Sequence, residues 1–156
     1  MTNNRRSIID EFYQESVKGL NGQILRDKDK WYEYILGLPL SLQVTYTISV
    51  LDRQVLNGGF DQYFVNGYGQ FAYITIDFLK MIKAFKTADM LEQALKKINY
   101  RNLTPDIFRK EAVYADSDNV IEFLNGLDKE YYDLFKHPST EDIHKLLTDF
   151  LTQYVK

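Results

Sequence analysis

The sequence predicts an all-α fold, one domain of about seven to nine helices over residues 1–156. Three observations carry this expectation. Apolar residues recur at three- and four-residue spacing along most of the chain, and helix-start and helix-stop residues separate those runs. No segment alternates apolar and polar residues for long enough to make a strand. Gln43 to Val50 invites that reading, but Pro39 and the stripe Leu40, Val44, Ile48, Leu51 and Val55 make it helical.

Taken in order, Ile8, Ile9, Phe12, Tyr13 and Val17 trace a first amphipathic helix, ended by Gly19 and the Asn21-Gly22 turn signal. The charged run Asp27 to Lys30 leads into a short aromatic helix, Trp31 to Ile35, which Gly37 and Pro39 stop. Pro39 suits the first position of the next helix, where a missing N–H costs nothing. After Gly69, helical spacing holds for Phe71, Ile74, Phe78, Met81, Ile82 and Phe85, with Lys80, Lys83 and Lys86 facing outward. Thr87 reads as the N-cap of a helix buried through Leu91, Ala94, Leu95 and Ile98, and Asn99 and Asn102 mark its end. Thr104-Pro105-Asp106 opens a short helix through Ile107, Phe108 and Val113. Asp116 or Ser117 caps the next, whose stripe is Val120, Leu124, Leu127, Tyr131, Leu134 and Phe135. Pro138-Ser139 starts the last, with Ile143, Leu146, Leu147, Phe150, Leu151 and Tyr154 on one face.

The stretch Gln54-Val55-Leu56-Asn57-Gly58-Gly59-Phe60-Asp61-Gln62-Tyr63-Phe64-Val65-Asn66-Gly67 organises the rest. Paired glycines after an apolar helical run allow φ > 0, ending one helix and re-aiming the next. Phe60, Tyr63 and Phe64 fall at i, i+3 and i+4, on one helix face. The amides then sit at the core edge, where they either tie helix ends together or line a small cleft with Asp61.

Position by position, Asn57, Gly58, Gly59, Phe60, Gln62, Tyr63, Phe64 and Asn66 resemble the signature of a bacterial family of domains of unknown function typified by a DNA mimic protein. Leu127-Asp128 with Tyr131-Tyr132 is a weaker echo of a second family pattern. The resemblance covers about 40–154, with 1–38 as a helical extension packed on it. The chain departs from the pattern at Leu56, where an amide is usual, and at Gly67-Tyr68-Gly69, where small hydroxyl residues are common before the glycine. The resemblance implies an all-helical fold and no established enzymatic activity; no cofactor is expected. It also implies a protein partner bound through an acidic surface.

Composition narrows the chemistry. Hydrophobic residues make up 45% and charged ones 26%, as in ordinary globular proteins, while twelve Tyr and ten Phe promise a ring-rich core. The absence of cysteine removes disulfides, thiolate nucleophiles and cysteine zinc sites, and suits a reducing cytoplasm. The basic start is broken by Asp10, Glu11 and Glu15 before any signal-peptide core. The longest uncharged run, Tyr34 to Leu51, is too short and too polar to span a bilayer, so no membrane partner is expected.

Catalytic arrangements are thin. His144 reads as a solvated or hydrogen-bonded group on a helix flank, and His137 as a helix-terminal residue. Asp116/Asp118 and Glu141/Asp142 read as acids at helix starts, where the dipole favours them, so no metal site is expected. No phosphate-binding glycine loop or nucleophile elbow is present.

Charge is uneven. Lys80 to Lys110 holds eight basic residues against three acidic, whereas Glu111 to Asp149 holds ten acidic against three basic. A sequence pI of 5.4 argues against nucleic-acid binding. The expectation is therefore a non-enzymatic interaction module with an unidentified protein partner, a homodimer being one form. The candidate acidic patch is Asp116, Asp118, Glu122 and Asp133. The competing reading is a ligand-binding protein or small hydrolase using Asn57, Gln62, Asn66 and Asp61.

Overall fold

The computed structural model describes residues 7–111 and 118–155. Among them are nine α-helices and no strand: α1 Ile8–Val17, α2 Gly22–Arg26, α3 Lys28–Leu36, α4 Leu40–Val65, α5 Ala72–Met81, α6 Phe85–Ile98, α7 Pro105–Glu111, α8 Asp118–Lys136 and α9 Ile143–Leu151. Short 3-10 turns follow α4 and α9. No helix among the described residues is long and apolar enough to cross a membrane. Val113, Asp116 and Ser117 lie outside the described residues.

The 26-residue α4 is the central element, because its stripe Val44, Ile48, Leu51 and Val55 is almost wholly buried and meets α1, α5 and α8. The main core gathers this stripe with Phe60, Tyr63, Phe64, Leu79, Leu91, Leu124, Leu147 and Leu151. A second cluster, Trp31, Ile35, Tyr46, Val50 and Phe71, seats the N-terminal helices on the other side of α4. There the Trp31 indole N–H donates to the Tyr46 hydroxyl at 3.0 Å, and the ring meets Phe71 edge-on. A buried indole needs such a partner.

Several expected boundaries move. Asn21 is the N-cap of the unforeseen α2, its side chain accepting from the Ile24 N–H. Pro39 stands just before α4 as its cap rather than inside it. The run from Phe71 to Phe85 is two helices, because Lys83 takes a left-handed conformation (φ 70) between α5 and α6. Thr87 lies inside the first turn of α6, so it is not the cap. The last helix begins at Ile143, capped by Asp142, and not at Pro138. Leu40, Met81, Phe85, Phe135 and Tyr154, expected in buried stripes, are exposed.

Candidate functional site

The glycine pair makes a kink inside α4. Gly59 has φ 82 and ψ 179, a conformation open essentially to glycine alone, and the chain re-enters helix at Phe60. Such a break orphans a backbone donor. The Phe60 N–H is met by Asp128 Oδ1 of α8 at 2.8 Å. A β-carbon on Gly59 would strike the same carboxylate, so glycine is needed for both its dihedrals and its missing side chain. Burial pushes the Asp128 carboxyl above its usual range; the Phe60 N–H opposes this and Asp61 adds to it.

The amides of the motif bond one another. Asn57 donates to Gln62 Oε1 (3.2 Å), Gln62 donates to Gln54 Oε1 (3.0 Å), and Asn66 donates to the same Gln54 oxygen (2.8 Å). This chain of four side chains straps the kink on its outer side. Gly58 is small because the Gln62 side chain lies over it. Phe60 and Tyr63 are fully buried and Phe64 nearly so, as their spacing predicts. Asn57, Gln62 and Asn66 thus act as internal ties.

The two motifs dock on each other. Leu127 is buried, Asp128 caps the kink, the Tyr132 hydroxyl donates to the Val55 carbonyl (3.0 Å), and the Tyr131 hydroxyl donates to Asp52 Oδ1 at 2.6 Å. Asp52, buried on α4, also accepts from His144 Nε2 of α9 at 2.8 Å. A carboxylate has no proton to give, so the imidazole is the donor. This bond raises the His144 pKa above its ordinary value, partial burial opposing it. Burial first, and then Asp52, push the Tyr131 phenol well above the usual value.

Asp52, Tyr131 and His144 line a pocket of about 200 Å³ with Leu134, Phe135, Pro138 and Glu141. Glu141 is the long-range cap of α6: its carboxylate accepts from the Lys86 and Thr87 N–H groups (both 2.9 Å) and the Thr87 hydroxyl (2.7 Å). Chemically the set is an Asp–His pair with a tyrosine on the second carboxylate oxygen. The neighbouring Ser49 Oγ lines the adjoining groove but makes no hydrogen bond, whereas a serine nucleophile needs contact with its base. Among the described residues no three His, Asp or Glu side chains form a metal-ligand group.

Sequence reasoning missed Asp52; it read His144 as a solvated or hydrogen-bonded group on a helix flank, and the bond to Asp52 is the second of these, while Gln54, at the start of the organising stretch, was given no role of its own. The signal for Asp52 was its register: four residues after Ile48 and three before Val55, it puts a carboxylate in the apolar stripe. In the expected acidic patch, Asp118, Glu122 and Asp133 are exposed on α8, while Asp116 is outside the described residues. They do not form an unbroken acidic face, because Lys129 and Lys136 are exposed on the same helix.

A family model described as DMP19-like protein matches residues 37–155. No curated protein and no solved structure matches the chain.

Proposed function

Because the chain belongs to the DMP19-like family, we propose that it is a protein-binding module whose partner is met by the exposed side of α8. The observation that supports this is the side-chain series along that helix: Asp118, Glu122, Phe123, Glu130 and Asp133 are all exposed, and Phe123 lies under Lys97 at 5.3 Å from its ring centroid. An exposed ring among carboxylates suits a partner that presents basic and apolar groups together. The elbow is the weaker candidate surface, since its amides satisfy one another.

Strict imitation of DNA is disfavoured on charge density. The helix rises about 27 Å from Asp118 to Lys136, and a duplex of that length carries on the order of sixteen negative charges. The exposed stripe offers four carboxylates and two lysines. The partner surface should therefore mix aromatic contact with a few charges and show only moderate salt sensitivity.

The test is affinity purification of tagged chain, wild type against Glu122→Lys, followed by competition of the recovered partner with duplex DNA at low and physiological salt. Loss of the partner in the variant and no displacement by DNA are expected. Tight binding that collapses with salt and is displaced by DNA would establish mimicry instead.

A further inference from the structure

A second pocket, about 330 Å³, lies where the N-terminal helices meet the far end of α4 and α7, away from the exposed side of α8. Residues before position 37, outside the family match, contribute Arg26, Lys28 and Trp31; the matched part contributes Phe64, Gln70 and Arg109. The pocket therefore belongs to the combination of the two parts.

Its chemistry is incomplete as it stands. Gln70 is 7% exposed, and neither its Nε2 nor its Oε1 has a hydrogen-bond partner; the Arg109 Nε, also buried, has none. Buried polar groups are ordinarily hydrogen-bonded, so a pocket that holds three unpartnered ones is suited to a ligand that meets them. Arg109 is held in place, its guanidinium 4.2 Å over the Tyr32 ring and its Nη1 donating to Asp29 at 2.9 Å. Asp29 does not line the pocket, and no lining residue among those described is acidic. Burial and then the neighbouring Arg109 lower the Lys28 pKa; Asp29 opposes this and, already paired with Arg109, is the counter-charge these two cations share.

We infer that this pocket binds a small organic anion, its phosphate or carboxylate held by Arg26, Lys28 and Arg109 and its donor–acceptor edge paired with the Gln70 amide. Guanidinium groups take planar oxyanions by paired N–H bonds, and a primary amide offers one donor and one acceptor to a base or amide edge. The inference is independent of the partner proposed for α8 and stands or falls without it.

Trp31 is the only tryptophan of the chain and lines this pocket, so its emission reports occupancy at the site itself. Calorimetric titration with Trp31 emission followed would use adenosine 5′-monophosphate, orotate and inorganic phosphate as probes on the full chain. Orotate and the nucleotide distinguish carboxylate from phosphate as the anionic group; phosphate alone lacks the edge and should bind more weakly than either. Saturable binding is expected for at least one edge-bearing probe, weakened about tenfold or more by Arg26→Gln and by Gln70→Leu. Arg26 is exposed, so its variant keeps the test valid if Gln70→Leu disturbs the core. No saturable signal at low-millimolar probe, or equal affinity in wild type and Arg26→Gln, overturns the inference.

Discussion

At Gly59 a missing β-carbon decides how two helical segments meet. Gly59→Ala must adopt a conformation that costs about 1–3 kcal/mol for a residue with a side chain, and its methyl also meets the Asp128 carboxylate. We expect a loss of at least about 2 kcal/mol in chemical denaturation. Gly58→Ala is the control. Gly58 keeps negative φ within the helix, so alanine there carries no backbone strain; its methyl displaces the end of the Gln62 side chain and loosens the amide strap, which alanine's better helix propensity partly offsets. A change within about 1 kcal/mol is expected there. Asp128→Ala removes the acceptor of the Phe60 N–H and should cost about 0.5–2 kcal/mol, whereas Asp128→Asn keeps an acceptor oxygen and should stay closer to wild type. If clash and cap are one contact, Gly59→Ala and Asp128→Ala combined will cost less than their separate losses together; strict additivity would show the two residues act independently.

At the scale of elements, α9 is tied to α4 by a bond that titrates. Because His144 has a folded pKa above its unfolded value near 6.5, its bond to Asp52 contributes stability in full below about pH 6.5. That contribution is lost as pH rises through the raised folded value. His144→Gln should therefore lose stability relative to wild type at mildly acidic pH and converge with it at alkaline pH; parallel stability curves across that window would rule the linkage out. The helix stripes were legible in the sequence wherever a helix is packed along its length, as for Val44 to Val55. They failed at helix ends: Leu40, Met81, Phe85, Phe135 and Tyr154 keep the spacing but overhang their neighbours. The glycine elbow and its ring triplet were legible because their signals are local. Glu141 capping α6 and Asp128 capping Phe60 act across 55 and 68 residues, and nothing in neighbouring sequence marks such partners. The five-residue α2 is too short for a periodic signal at all.

For the whole molecule, the question is whether α1 to α3 form a separable attachment, since the family match begins only at residue 37. Packing argues for one unit. Trp31 and Ile35 are buried against Phe71 and against Tyr46 and Val50 of α4, a helix whose other face carries the main core, so Tyr46 and Val44 lie within one turn of each other on opposite sides of α4. Tyr34 adds a polar clasp between α3 and α1, its hydroxyl accepting from the Gly19 N–H and donating to the Ser16 carbonyl. Removing these helices would bare Tyr46, Val50 and Phe71, an apolar patch of the kind that folded single chains avoid exposing. Small domains with shared cores unfold in one step. Trp31 emission, which reports only the N-terminal cluster, should therefore follow the same denaturant transition as far-ultraviolet circular dichroism, which reports the helices of the whole chain together. A Trp31 transition at clearly lower denaturant than the loss of helix would show that the extension melts first and that the two cores across α4 are energetically separate.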